Sequence, residues 1–497
     1  MAENQFIKLR KEKLARIRAL GIDPYPVQSA RSHKIAEILA DPDGSVENAT
    51  IFTLAGRLVA MRRQGKIGFG NIEDDSGRIQ LYVSKAELGE ENYELFKLCD
   101  AGDFVQATGT AFFTQTGEYS LRCTCIKLLS KNIRPLPTVK EKIENGRAIR
   151  YDEFSDIELR YRKRYLDLLL NPEHRKVFAT RSRIVSAIRK FLDSRDYIEV
   201  ETPILQSLYG GANARPFITH HNTLDVDLYL RIAVELYLKR LIVGGFERVY
   251  EIGKNFRNEG MDRTHNPEFT MLESYEAYSD LQGMMDLVEA LVKHLATDVI
   301  GKDIYRYHGH EVNLAGTWRR AAMADLVQEA TGIDVMEATV DKLTAFCTEH
   351  ELEIPAGSAK GKLIAIIYER FVEHTLIQPT FVCDFPKEIS PLAKAKPGNP
   401  LLADRFELII AGGEFANAFS ELNDPLDQRE RLEAQARLRA LGDDEANVVD
   451  EDFLEALEYG MPPMGGQGIG IDRLVMLLTE NDSIKEVILF PQMKPGN

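Results

Sequence analysis

Between residues 51 and 133 the hydrophobic pattern repeats every second residue, and this restricts the possible folds more than any other feature of the chain. In Arg78-Ile79-Gln80-Leu81-Tyr82-Val83, the apolar Ile79, Leu81 and Val83 project to one side, and Arg78, Gln80 and Tyr82 to the other. Asp75-Ser76-Gly77 and Thr116-Gly117 are turn signals between such runs. Several short strands within about 80 residues, with one polar and aromatic face, predict a small β-barrel of the kind that binds single-stranded nucleic acid.

That barrel is only part of the molecule. A chain of 497 residues is long enough for about three domains. Residues 1–50 read as a helical extension, in which 6–20 form a basic amphipathic helix ended by Gly21. Lys8, Arg10, Lys11, Lys13, Arg16 and Arg18 make it the densest positive cluster, and it reads either as a solvated face or as an RNA-backbone contact. The barrel takes 51–135, and the polar, proline-marked stretch 136–170 reads as a linker. Residues 171–497 have the composition of a large mixed α/β domain. Ile184, Val185, Ile188, Phe191 and Leu192 recur at helical spacing, and 197–203 alternate as a strand closed by Pro203. Three helical stretches, near Trp318–Thr331, Asp341–Leu352 and Lys360–Thr375, predict a helical insertion at about 315–380.

Net charge is −15, so a polyanionic partner must meet a local basic surface. The five cysteines match no zinc spacing and read as reduced thiols. With no signal-peptide core and no apolar stretch of spanning length, the expectation is a cytoplasmic protein without a membrane segment.

Three segments carry chemistry. In the first, Arg248–Ile252 and Phe269–Tyr275 read as strands joined by a polar loop holding Arg257, Glu259, Arg263 and His265. Alternation places Phe269, Met271, Glu273 and Tyr275 on one face, which suits a nucleotide and a cation; a hairpin with a solvated tip is the plain alternative. In the second, the glycine run 465–470 precedes a helix beginning near Arg473, so backbone N–H groups and a guanidinium can meet phosphate. In the third, Glu407 and Glu414 flank a Gly-Gly reversal and can approach one Mg²⁺. Asn417, Phe419 and Glu421 share a strand face there, but Glu414 is out of phase with Asn417, and alternation leaves its register open. The adjacent His220 and His221 point oppositely on a strand and read as locally hydrogen-bonded, not as a metal pair.

In this order the segments resemble the three motifs of class II aminoacyl-tRNA synthetases, with Pro203 ending the first, Phe256-Arg257-Asn258-Glu259 through Phe269 the second, and Gly466–Arg473 the third. The closest resemblance is to the class II lysyl-tRNA synthetase family, over about residues 8–492. It rests on Gly210-Gly211, Ala214–Asn222, Tyr237–Arg240, His265–Thr270 and Phe419–Asp424. Thr264 and Gln467 depart from the pattern of many bacterial members, and Arg263 stands where the charge missing at Thr264 would be supplied.

The resemblance implies an OB-fold barrel plus a class II catalytic domain of antiparallel sheet flanked by helices. It implies lysine activation with ATP and transfer to tRNA(Lys), Mg²⁺ as the only cofactor, and a homodimer formed through the helix at 181–194. Arg257 and Arg473 are the implied catalytic groups, and Arg257, Glu259, Arg263, His265, Asn266, Phe269, Glu407 and Arg473 the ATP set. Glu407 and Glu414 are the implied metal ligands. Lysine would meet Gly211, Glu235, Glu273, Tyr275, Asn417, Phe419 and Glu421, and the anticodon Phe69, Arg78, Gln80 and Glu118. Other readings are a synthetase for aspartate or asparagine, a catalytically silent relative that senses RNA or lysine, and a ligase placing lysine on a protein. The last would not need the barrel.

Overall fold

The computed structural model describes residues 5–137, 140–144, 147–151, 154, 156–355, 357–440 and 448–495. The chain divides into two compact units, Met1–Ser155 and Asp156–Asn497.

In the first unit, strands β1 (Ile51–Gln64), β2 (Ile67–Glu73), β3 (Arg78–Ser84), β4 (Phe104–Phe113) and β5 (Tyr119–Ser130) close into a barrel in the order β1-β2-β3-β5-β4. Ile79, Leu81 and Val83 enter its core, as alternation requires. Gln80 does not stand open on the polar face: it is 8% exposed, and its Nε2 donates to Ser120 Oγ at 2.9 Å. The parallel β3–β5 pairing, Gln80 opposite Ser120, buries it. The basic helix α1 (Gln5–Ala19) buries only Ile17. Arg10 Nη2 donates to the Ala101 carbonyl (3.0 Å) and Lys13 pairs with Asp100 (2.5 Å), while Lys8, Lys11, Arg16 and Arg18 are exposed.

Part of the expected linker is regular structure. Lys140–Glu144 and Arg147–Tyr151 form an antiparallel hairpin, and Ile157–Arg162 and Arg164–Leu170 are helices. Arg164, with no exposed side-chain surface, pairs with the equally buried Asp167 at 2.7 Å. Such groups belong to a packed domain, not to a tether.

The second unit is built on an eight-stranded sheet. Its strands in chain order are β6 (Ile198–Glu199), β7 (Arg248–Phe256), β8 (Glu268–Ala277), β9 (Arg319–Ala322), β10 (Thr380–Cys383), β11 (Arg405–Ile410), β12 (Gly413–Ser420) and β13 (Met464–Gly470). Across the sheet the order is β9-β10-β11-β12-β13-β8-β7-β6. The pairings are antiparallel except β9–β10 and β7–β6 at the two edges. Helix α2 (Pro172–Asp193) packs Ile184, Ile188, Phe191 and Leu192 into the main core, together with the nearly all-apolar α4 (Ile471–Leu478). The strand expected at 197–203 is only two residues long by regular pairing, extended by the Val200 N–H donating to the Tyr250 carbonyl at 2.9 Å.

The helical insertion begins later than its pattern indicates. Arg319–Ala322 is the edge strand β9, and the helices are Met323–Thr331, Val340–Glu349 and Lys360–Phe371. They share a separate core with Val382 and Ile409, so the insertion is fastened to the sheet.

Candidate active site

Strands β8, β12 and β13 lie side by side and line a cavity of about 450 Å³, within the usual range for small-molecule sites. The floor is β13. Its residues facing the cavity are Gly466, Gly468 and Gly470, opposite Tyr275, Glu273 and Met271 on β8. The glycine run precedes a helix, α4, as its sequence suggests, and is itself the central strand of the site. A Cβ on Gly466 would collide with Glu421 and Tyr275, and one on Gly468 would lie 3.1 Å from Met271. Absent side chains make the space here. Gln467 turns to the opposite face, where its Nε2 donates to Ser274 Oγ at 2.7 Å.

One wall is β8, with Phe269, Met271, Glu273 and Tyr275 all lining the cavity. Tyr275 Oη donates to Glu273 Oε2 at 3.0 Å, and the Val234 N–H approaches Glu273 Oε1 at 3.4 Å. Burial pushes the Glu273 carboxyl up to about 7, with Glu235 adding to the shift. The other wall is β12, carrying Asn417, Phe419 and, just past its end, Glu421. Helix α3 (Glu235–Val243) adds Glu235 from its first turn, and Gly211, at φ +84°, passes with its Cβ position 3.1 Å from Glu235 Cβ. Three carboxylates, Glu235, Glu273 and Glu421, thus converge at one end, each under 10% exposed.

A β-bulge resolves the phase of Glu414. Leu408 pairs with Ala416 but Ile409 pairs with Glu414, so Phe415 is an extra residue on β12. The bulge returns Glu414 to the face of Glu407 and Asn417, and both glutamates line the cavity. Burial, Glu414 and Glu373 push Glu407 up to about 8 against the opposing pull of Arg405, whose Nη2 donates to Glu407 Oε1 at 2.5 Å. Arg405 Nε also donates to Asn417 Oδ1 at 3.1 Å, so one guanidinium orients a member of each group.

At the other end, Arg257 follows β7, with its guanidinium carbon 5.1 Å from the Phe269 ring centre. Its buried Nε has no hydrogen-bond partner. Burial lowers its pKa while Glu414 and Glu259 pull it back up. Arg473, in the first turn of α4, donates from Nη1 to the Glu414 carbonyl at 2.5 Å and lies 2.9 Å from His265 through Nη2. His265 Nδ1 is 2.8 Å from Asp262 Oδ2, and the carboxylate also accepts the Thr264 and His265 N–H groups, both at 2.7 Å. Burial opposes the shift, but these contacts hold Asp262 down at about 2. Glu259 and Asn266 line the cavity. Asn266, however, also donates to the Glu268 carbonyl at 2.6 Å and accepts from the Gln492 N–H at 3.3 Å, tying down the C-terminal segment. Arg263 is exposed and does not line the cavity; its carbonyl accepts from Ile484. His220 pairs with Asp227 (3.0 Å), and His221 Nδ1 accepts from the Leu224 N–H (3.2 Å).

On the barrel, Phe69, Tyr82 and Phe112 form a ladder of edge-on rings, 5.6 Å between successive centres, with Arg62 4.8 Å from Phe69 and Arg122 4.5 Å from Phe112. Arg78 and Glu118 are exposed. The sequence pattern places Tyr82 on the aromatic face but does not mark Asp262, Lys239, Arg405 or Phe112 as site residues. Asp262, Lys239 and Arg405 each have a partner two to four residues away, but what links them to the cavity is a second, more distant contact, Arg473 through His265, Glu421 and Asn417 respectively, which no local pattern reports.

Comparison with known proteins assigns both units to known families. Residues 156–494 match the tRNA synthetases class II (D, K and N), and 52–129 match the OB-fold nucleic acid binding domain. The lysine–tRNA ligase of Bacillus subtilis (strain 168) is 50% identical over 497 residues, covering 99% of this chain and 97% of that protein. Lysine–tRNA ligases of Lactococcus lactis subsp. cremoris (strain MG1363) and Thermoanaerobacter sp. (strain X514) are 51% and 50% identical, covering 99% of this chain and 99% and 97% of their own lengths. The chain belongs to the class II tRNA synthetases and, within them, to the lysine–tRNA ligase family.

Proposed function

We propose that this chain activates L-lysine with ATP to lysyl-adenylate and transfers the lysyl group to the terminal adenosine of tRNA(Lys). The observation that carries this reading is the convergence of Glu235, Glu273 and Glu421 at one end of a cavity whose other end holds Arg257 and Arg473. Buried carboxylates suit a substrate with two ammonium groups and repel an aspartate side chain.

The lysine ε-ammonium meets Glu273, Tyr275 and Glu421, and the α-amino group meets Glu235, with Gly211, Asn417 and Phe419 shaping the space between. The lysine carboxylate attacks the α-phosphorus in line and pyrophosphate leaves. The work of the protein is then positioning and charge neutralisation. Arg257, whose Nε has no partner, is available to bridge the attacking carboxylate and the α-phosphate. Arg473 and Phe269 hold adenine between them, while Arg473 and His265 serve the phosphates; Glu259 and Asn266 line the same cavity, and Arg263, exposed, stands at the edge of that set. Glu407 and Glu414 offer hard oxygen donors, and a Glu407 carboxyl raised first by burial and then by Glu414 beside it fits a cation site. Mg²⁺ held there supplies charge neutralisation for the triphosphate.

Phe69, Arg78 and Glu118 read the anticodon, Phe69 by stacking and the charged pair by hydrogen bonds, while Gln80, held against Ser120, keeps its amide oxygen for a base edge. Ile198, Ile204, Leu205, Leu208, Ile218 and Val226, each more than 40% exposed, support a homodimer through the face that follows α2. An active monomer in sedimentation at micromolar concentration would overturn the dimer. Among the described residues no helix is long and apolar enough to cross a membrane, and the site of action is the cytoplasm, where tRNA is charged. The test is ATP–pyrophosphate exchange across the twenty amino acids, followed by charging of tRNA(Lys). Lysine should support exchange; preferred exchange with aspartate or asparagine would refute the reading.

A further inference from the structure

Lys239 has no exposed side-chain surface and is not positioned to touch solvent. It lies one turn along α3 from Glu235, and its Nζ donates to Glu235 Oε1 at 2.5 Å. The same nitrogen pairs with Glu421 Oε2, from beyond the end of β12, and lies 5.3 Å from the Phe419 ring centre. Glu235 and Glu421 both line the cavity and Lys239 does not. One buried ammonium therefore stands behind two carboxylates that reach the substrate space from different elements.

Two consequences follow from that position. Two oxygens in contact with a single ammonium nitrogen, one by a hydrogen bond and one by an ion pair, stay within about 5 Å of each other, so Lys239 limits how far Glu235 and Glu421 can separate. The other is charge. The groups facing this end are Glu235, Glu273, Glu421, Tyr275 and Lys239, with Arg257 toward the far end. With all three carboxylates ionised, the form that lysine binding requires, one ammonium leaves two negative charges, the complement of a substrate carrying two ammonium groups. Burial alone would push the Lys239 ammonium down, but Glu235 and Glu421 more than offset this and its pKa is raised, so the charge persists.

We propose that Lys239 is a positioning residue for substrate selection: by tying Glu235 to Glu421 it sets the spacing between the α-amino and side-chain ammonium subsites, and so the chain length of the diamino acid accepted. This rests on the reading of the cavity as the lysine site. A residue needed only for the fold would change activity with lysine and with a shorter homologue alike. A spacer changes their ratio.

The test compares kcat/KM for lysine and for ornithine, one methylene shorter, in pyrophosphate exchange by the full-length parent, Lys239→Met and Lys239→Gln. The glutamine is close in length and keeps a hydrogen-bond donor. The ratio of two substrates on one preparation does not depend on its active fraction, so partial folding does not blur the result. The expected outcome is a lysine-over-ornithine ratio at least 10-fold lower in Lys239→Met and less reduced in Lys239→Gln. Lysine KM should rise 10-fold or more, and ATP KM should stay within about 2-fold of the parent. A ratio within 2-fold of the parent in both variants overturns the proposal. So does failure of both variants to fold by far-UV circular dichroism, which would make Lys239 a fold-holding residue. If the parent itself gives no exchange with lysine, the reading of the site fails, and that outcome is distinct from an unmoved ratio.

Discussion

His265 Nε2 and Arg473 Nη2 lie 2.9 Å apart, joining residues 208 positions distant in sequence at the phosphate end of the cavity. With Arg473 donating, His265 must be the tautomer protonated on Nδ1, which then donates to Asp262. Asp262 thus orients the histidine that orients the arginine. Asp262→Ala should raise ATP KM about 5-fold, on the order of 1 kcal/mol because the pair is exposed, and leave lysine KM unchanged. Steady-state kinetics with each substrate varied in turn checks this; a rise in lysine KM alone would contradict it.

Glu273 sits near 7 in the free protein because it is buried beside other carboxylates. Lysine requires the ionised form, so lysine KM should fall as pH rises from 6 to about 8 and then level off. Binding below pH 7 should release a proton, detectable by calorimetry in buffers of different ionisation enthalpy. Stability runs the other way. The folded protein holds this proton up to about 7, above the ordinary carboxyl range, so stability declines as pH rises between those values. Glu273→Gln should abolish the KM profile, raise lysine KM, and be more stable than the parent at pH 8 by on the order of 1–3 kcal/mol, with the gap closing toward pH 5. Thermal melts at the two pH values measure the difference.

Arg257 has a buried Nε without a partner, so the fold gains little from it. Arg257→Ala should slow pyrophosphate exchange by about 100- to 1,000-fold, the usual cost of losing one preorganised charge at a transition state, with Tm nearly unchanged. Near-normal exchange would remove it from the mechanism.

Gly466→Ala is the smallest change that should close the site. The added methyl meets Glu421 and Tyr275, both buried in the lysine end. Lysine KM should rise by at least about 10-fold, since the methyl must displace groups that would contact substrate. ATP KM should change much less, because Arg257 and Arg473 lie at the other end. Equal losses for both substrates would mean that the strand itself is disrupted.

Phe69 heads the ring ladder on the barrel and is only partly buried. Stacking contributes roughly 1–3 kcal/mol per base, so Phe69→Ala should raise tRNA KM about 5- to 150-fold and leave pyrophosphate exchange intact. Loss in both assays would make Phe69 a folding residue. Gln80, held by Ser120, has one amide group engaged already, so Gln80→Ala should also lower Tm, and Glu118→Ala should not.

The sequence by itself determined the elements whose periodicity is local. The barrel strands alternate as Ile79, Leu81 and Val83 require, and Phe269, Met271, Glu273 and Tyr275 share a face because side chains on a strand alternate. Tertiary structure decided what depends on pairing between distant segments. Glu414 reaches the cavity only because a bulge at Phe415 shifts its phase, and the bulge is defined by the partner strand β11. The glycines of β13 resemble a loop in one dimension, yet between two strands they form a floor, since hydrogen bonds to both neighbours replace the missing side chains. Gln80 is buried by Ser120, and Lys239 by carboxylates 4 and 182 residues away. Local pattern reports which face a side chain takes; only the packed chain decides which charges share that face, because electrostatic pairing acts through space and not along the sequence.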